Sequence, residues 1–135
     1  DAVKEREAAT QDAIAWLSPM SDKKLKVIFV QPTPVFKAPA FRCSDWFNQM
    51  NPICIGNNEQ SKSDLERLRQ PVTAQMREVA RAVPNVSLWD PFALLCPEAT
   101  CQTRLNEKPL FFDGDHLSMY GNELIYPELR ALFSN

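Results

Sequence analysis

A single histidine, His116, limits what imidazole chemistry this 135-residue chain can perform. It stands in the segment Phe112-Asp113-Gly114-Asp115-His116-Leu117-Ser118. A carboxylate three residues before a histidine can turn back onto the ring through a tight loop, and Gly114 makes such a loop easy. Asp113 would then accept the Nδ1 proton, hold one tautomer and stabilise imidazolium while Nε2 acts as general base. The simpler reading is an Asp-Gly turn with a histidine ahead of a helix. Ser118 reads as the N-cap of that helix rather than as a nucleophile. Asp115 reads as solvated or as an aid to capping. Only three glycines occur, Gly56, Gly114 and Gly121, too few and too scattered for a Gly-rich phosphate loop.

The elements that must hold this segment can be read from hydrophobic spacing. Residues 2–17 read as an amphipathic helix with Thr10, Ala13, Ile14 and Leu17 on one stripe, ended by Ser18-Pro19. Leu25 to Val30 reads as a central parallel strand, buried on both faces and stopped by Gln31-Pro-Thr-Pro. Residues 31–62 form a long proline-bent excursion, the kind of loop that is functional or stapled. Ser63 with Glu66 has the spacing of a capping box. Leu65, Leu68, Val72, Met76, Val79 and Val83 then recur as one helix face, with Pro71 predicting a kink or restart. Val86 to Trp89 reads as a second buried strand, ended by Asp90-Pro91. Lys108 to Phe112 reads as a minor extended segment. A closing helix follows from Ser118, with Leu124, Ile125, Leu129, Leu132 and Phe133 inward and Pro127 as a disturbance. This alternation is that of an α/β domain. Two convincing strands are few for such a domain and leave open sheet edges.

Composition excludes several classes. Hydrophobic residues make up 44% and charged residues 24%, so a packed core is within reach. Fifteen basic against seventeen acidic residues give a net charge of -2, which provides no grip on nucleic acid. Apolar runs such as Val27 to Val30 are far too short to span a bilayer. No basic segment followed by an apolar stretch opens the sequence.

Four cysteines, Cys43, Cys54, Cys96 and Cys101, fall into two local pairs. Their spacing lacks the tight knuckle of a zinc site. Three disulfide connectivities are open, as are four buried free thiols. The proline-bent loops favour the local pairing 43–54 and 96–101, with about 2–3 kcal/mol from each staple. Oxidised cysteines imply a periplasmic or extracellular location.

The block Asp113-Gly-Asp-His-Leu-Ser, with Gly121, Leu124 and Pro127-Glu-Leu after it, resembles the final block of SGNH-hydrolase-type domains. The likeness is to the SGNH domain fused to membrane acyltransferase-3 proteins. Val27-Ile-Phe-Val-Gln-Pro-Thr-Pro, Arg42-Cys43 with Cys54, and Val86 to Pro91 with Leu95-Cys96 and Cys101 are similar to further segments of that subgroup. The likeness runs from about residue 10 onward. It implies a partial three-layer, flavodoxin-like SGNH fold, a short parallel sheet flanked by helices, with residues 1–135 forming one domain that is the C-terminal half of the whole. It implies acyl transfer, such as O-acetylation of lipopolysaccharide O-antigen or another surface polysaccharide, at the periplasmic face of the bacterial inner membrane. The implied partners are an acyl donor, a polysaccharide acceptor and a membrane acyltransferase domain, without nucleic acid, cofactor or metal. The candidate catalytic residues are His116 and Asp113.

The departures from the family pattern are specific. The family's nucleophile lies in a Gly-Asp-Ser block, and its oxyanion donors come from two further blocks. No serine here has that context, and Gly56-Asn57-Asn58 does not match the Gly-x-Asn-Asp block. The chain is therefore expected to carry the base and its orienter without the nucleophile. The alternatives are a non-catalytic glycan- or protein-binding module and a small esterase with an unrecognised nucleophile. Trp16, Trp46 and Trp89 read as core or loop anchors, with Trp46 and Phe47 the best candidates for a glycan contact. The helix beginning near Ser118 is expected to bias His116 toward its neutral form.

Overall fold

The computed structural model describes residues 1–23 and 25–134. Its elements in chain order are α1 (Ala2–Leu17), β1 (Val27–Val30), β2 (Glu59–Ser61), α2 (Lys62–Ala82), β3 (Val86–Trp89), α3 (Phe92–Leu95), β4 (Thr100–Gln102), β5 (Arg104–Leu105), β6 (Lys108–Pro109) and α4 (Met119–Ala131). No helix among the described residues is long and apolar enough to cross a membrane. The chain forms two compact units, Asp1–Pro32 with Leu68–Asp90, and Thr33–Arg67 with Pro91–Asn135.

The first unit is a small α/β layer. Strands β1 and β3 pair in parallel, Val27 with Val86 through Val30 with Trp89. Leu17, Val79, Val83 and Val86 form its core, with Ala13, Ile14, Val27 and Phe29 packed against them. The α1 stripe predicted from spacing thus reaches the sheet through Ile14 and Leu17. Helix α1 ends at Leu17 with Ser18 as its C-cap, where Ser18-Pro19 predicted the end, and the chain then tightens into a 3₁₀ segment, Ser18–Lys23. Trp16 lies off the stripe and is exposed, whereas Trp89 is buried.

Two strand expectations need correction. The strand starts at Val27 rather than Leu25, and Leu25 is half exposed. It is also not buried on both faces: Val27, Ile28 and Phe29 are half-buried and Val30 is exposed. Among the described residues β1 pairs with β3 alone, which leaves its other edge open to water.

Helix α2 runs unbroken through Pro71, without the predicted restart. Leu65, Val79 and Val83 are buried as expected, but Leu68 and Val72 face solvent and Thr73 is buried in their place. The Thr73 hydroxyl satisfies itself on the Gln70 carbonyl. Ser63 is not a cap. It lies inside the helix, where its hydroxyl meets that of Ser61 at 2.8 Å. The chain enters α2 directly from β2, and Lys62 N–H donates to the Ala99 carbonyl.

The second unit is built on turns and short ladders. β2 pairs with β4 and β5 with β6, both antiparallel. Phe111, Leu95, Leu110, Cys96 and Cys101 are among its largest fully buried side chains, and the Phe36 and Phe111 rings meet at 5.1 Å. The excursion is stapled by Cys43–Cys54, and Cys96–Cys101 closes the loop after α3. Both local pairings match the expectation, and the described residues include no free cysteine. In α4, Gly121 and Ile125 face inward, while Phe133, just beyond the helix, is exposed rather than packed.

Replacing Cys43 and Cys54 together by serine is expected to cost about 2–3 kcal/mol, the entropy of closing a loop of this length. Urea unfolding of the double variant beside the parent chain checks it, and coincident midpoints would show that the staple contributes nothing.

Candidate active site

The loop that carries Asp113 and His116 is closed at its base by backbone. Phe111 and Leu117 form an antiparallel bridge, and Phe112 N–H donates to the His116 carbonyl at 2.7 Å. Inside that closure one carboxylate organises the turn. Asp113 Oδ1 accepts from the backbone N–H groups of Asp115 at 3.0 Å and His116 at 2.7 Å. Its Oδ2 stands 2.8 Å from His116 Nδ1. The structure therefore brings the two predicted site residues together.

The excursion holds the same loop from outside. Phe36 N–H donates to the Gly114 carbonyl at 2.7 Å, and Phe41 N–H to the Phe112 carbonyl at 3.2 Å. Gly114 is not among the positive-φ glycines, so its freedom of conformation is not what the site needs. What it supplies is room: a Cβ there would sit 2.2 Å from the Phe36 carbonyl oxygen. Gly121 supplies the same room at the start of α4, where a Cβ would sit 2.2 Å from the Leu110 oxygen.

Ser118 is fully occupied as a cap. Its hydroxyl donates to the Pro109 carbonyl at 2.6 Å and accepts from Gly121 N–H at 3.0 Å. A buried oxygen with both roles filled is a poor nucleophile, as its reading as a cap required.

The electrostatics of the loop run toward charge separation. Backbone N–H groups of Asp115 and His116, and then the imidazole, hold the Asp113 carboxyl well below its ordinary 3.8. The hydrogen bond to Asp113, then the charges of Asp113 and Asp115, hold the imidazole above its ordinary 6.5. This corrects the expectation that the helix end biases His116 toward neutrality. Two carboxylates at the ring outweigh a helix N-terminus that begins three residues further on. An ionised carboxylate can only accept, so Nδ1 carries the proton and Nε2 holds the lone pair when the ring is neutral. The side chain of His116 is 77% exposed. The ring is thus open to an incoming hydroxyl rather than enclosed in a cleft.

Asp115 reads in the sequence as solvated or as an aid to capping. In the structure its Oδ1 is 3.2 Å from His116 Nδ1. Asp113, Asp115 and His116 each offer an atom within 4.8 Å of the others, a grouping close enough to surround a cation. Their hydrogen bonding is that of an oriented imidazole, with Nδ1 committed to Asp113. Beside the loop, the exposed Phe41 and Phe112 rings lie 5.6 Å apart. A groove of about 290 Å³ between Phe41, Lys108, Met119 and Glu123 lies in the same unit, and its lining does not include His116. Trp46 stands out into solvent, 82% exposed, with its ring edge-on to Phe47, so it is no core anchor.

In the first unit, sequence reading missed a polar cluster. Arg69 from α2 reaches Asp90 at 2.6 Å and Gln31 at 3.0 Å, beyond the ends of β3 and β1. Its side chain is 10% exposed and Gln31 is buried. Gln31 and Asp90 drew notice only as strand stops. The signal that finds them is their shared position, the first residue after each parallel strand.

Two outcomes follow from the loop geometry. Gly114→Ala is expected to cost about 1–3 kcal/mol, because backbone rather than a flexible side chain opposes the new methyl; an unchanged thermal midpoint would refute it. The second concerns pH. A depressed carboxylate stabilises the fold above 3.8 and loses that contribution as pH falls, while a raised imidazole stabilises it below 6.5 and loses it as pH climbs. The stability difference between the parent chain and Asp113→Asn should be largest between those two values and shrink on both sides, which denaturation at a series of pH values measures.

The family model described as "SGNH domain (fused to AT3 domains)" matches residues 2–131. No match was found among curated proteins or among solved structures. The match spans both parallel strands, both staples and the Asp113–His116 loop. With that span, the α/β layer and the terminal Asp-x-x-His block, the chain belongs to the family of SGNH domains that are fused to AT3 domains.

Proposed function

We propose that this chain supplies the general base of a Ser-His-Asp acyl-transfer site whose serine stands outside these residues. On this reading residues 1–135 are the C-terminal half of an SGNH domain. The observation that carries it is the 2.8 Å contact between Asp113 Oδ2 and His116 Nδ1, with the rest of the ring open to solvent. Nε2 takes the proton of the serine hydroxyl as its oxygen bonds to the acyl carbonyl carbon. The donor's leaving group departs with a proton returned from Nε2, leaving an acyl-serine. A sugar hydroxyl then loses its proton to the same nitrogen, attacks the acyl carbon, and the serine oxygen recovers the proton. Asp113 keeps Nδ1 protonated throughout and offsets the charge of each imidazolium.

Fusion to AT3 domains favours a membrane acyltransferase domain as partner in the parent protein. Two disulfides suit an oxidising compartment, which favours the periplasmic face of the bacterial inner membrane. The acceptor on this reading is a surface polysaccharide such as lipopolysaccharide O-antigen, and acetyl is the acyl group. The exposed Trp46 and Phe47 rings favour a second reading, a glycan- or protein-binding module that retains the architecture without catalysis.

His116→Ala in the membrane-anchored parent protein is expected to lower acyl transfer about 10³-fold or more while leaving the domain folded. Turnover equal to the parent's would remove His116 from the chemistry and leave the binding module. The 135-residue chain alone should hydrolyse an activated acetate ester no faster than free imidazole at the same concentration, and turnover well above that level would place a nucleophile within it.

A further inference from the structure

The turn that seats Asp113 against His116 also brings a second carboxylate to the same nitrogen. Asp115 Oδ1 lies 3.2 Å from His116 Nδ1, while Asp113 Oδ2 lies at 2.8 Å. Neighbouring side chains on an extended strand point to opposite faces, so Asp115 would face away from the ring if the segment were straight. It does not, because Asp113 Oδ1 gathers the N–H groups of both Asp115 and His116 into one turn. The backbone of that turn is held by Phe36 and Phe112, so the position of Asp115 is set from both sides.

We propose that Asp115 is a positioning residue, a second carboxylate that acts through charge on His116 Nδ1 and sets the pH at which the imidazole can serve as a base. Its use in acyl transfer rests on the function proposed above; its action on the ring does not. The two acids have different roles. Asp113 makes the hydrogen bond that fixes the tautomer. Asp115 stands within ion-pair distance and is 60% exposed, so it contributes through Coulomb attraction across partly solvated space. Among the described residues the charged groups that act on the imidazole are these two, both on its own loop, and both favour the protonated ring. With the second acid present, the imidazolium formed when Nε2 takes a proton faces two negative charges at Nδ1 instead of one. The neutral base is correspondingly reached at higher pH.

The chain's one histidine makes this directly readable, because its ring C–H resonances belong to a single residue. Nuclear magnetic resonance titration of the 135-residue chain would compare the parent with Asp115→Asn, Asp115→Glu and Asp113→Asn. The Asp115→Asn midpoint is expected below the parent's and above that of Asp113→Asn, with the ring nitrogens still reporting a proton on Nδ1. Asp115→Glu, which keeps the charge, should recover most of the parent's midpoint. The gap between parent and Asp115→Asn should narrow at about 1 M salt, where the screening length falls to roughly 3 Å. Superimposable titrations of parent and Asp115→Asn at low salt would overturn the proposal, as would an Asp115→Glu midpoint that follows the asparagine variant. Should the asparagine variant lose its amide dispersion, Asp115→Ser read in the same way decides. The titration needs no acyl donor, so its failure is separate from a failure of His116→Ala to reduce transfer.

Discussion

One carboxylate with three N–H partners organises the site. Asp113 takes two backbone donors on Oδ1 and the imidazole on Oδ2, and each bond constrains the others. The backbone bonds fold residues 113–116 into a turn tight enough to bring the ring back. They also lower the proton affinity of the carboxyl, which keeps it an acceptor across the working range of a histidine. The same interaction is therefore both local structure and chemistry. Without it the ring would lose its orientation, its tautomer and its raised basicity together.

That turn survives because the surrounding backbone comes close. Phe36 and Phe41 lend N–H groups to the carbonyls of Gly114 and Phe112, so the excursion behaves toward the loop as a neighbouring strand would. Close approach of this kind leaves no space for a Cβ at Gly114 or Gly121. The Cys43–Cys54 staple shortens the excursion that makes the approach, and it sits with Ala38 in a small core of its own. A segment with several prolines and few regular hydrogen bonds is held by covalent closure where a helix or strand would be held by its ladder. The Asp113–His116 loop is then supported by a disulfide-closed neighbour on one side and by the Ser118 cap of α4 on the other.

The first unit has a different character. Its core is assembled from α1, α2 and two parallel strands, the two that form its sheet among the described residues. Both strands are edges, with backbone groups open to water, and β1 is the less buried of the two. Membership of the SGNH family accounts for the α/β order of these elements. The Arg69–Asp90–Gln31 cluster adds a polar lock where both strands end. One terminal nitrogen of Arg69, Nη2, donates to both acceptors, and arginine stays charged in such a place.

Much of this was legible from residue types and spacing. The stripe of α1, the strand Val86–Trp89, the Ser118 cap, both cysteine pairs and the Asp113–His116 juxtaposition are all signalled by residues within about a dozen positions, although distant backbone then holds some of them. Local periodicity, capping chemistry and short loop closure act over that range, so sequence carries them. What it could not carry depended on partners distant along the chain. Leu68 and Val72 fit a helix stripe yet face solvent, because which side of α2 is covered depends on how the sheet lies against it. Ser63 and Glu66 had the spacing of a cap, but β2 paired with β4 and led the backbone straight into the helix. The acid beside His116 looked like a solvated charge until the turn placed it 3.2 Å from the ring. The family block and the pairing of Asp113 with His116 were thus legible in sequence alone. The environment of the imidazole was decided only in three dimensions, because it depends on distances between charges that the fold, not the spacing, establishes.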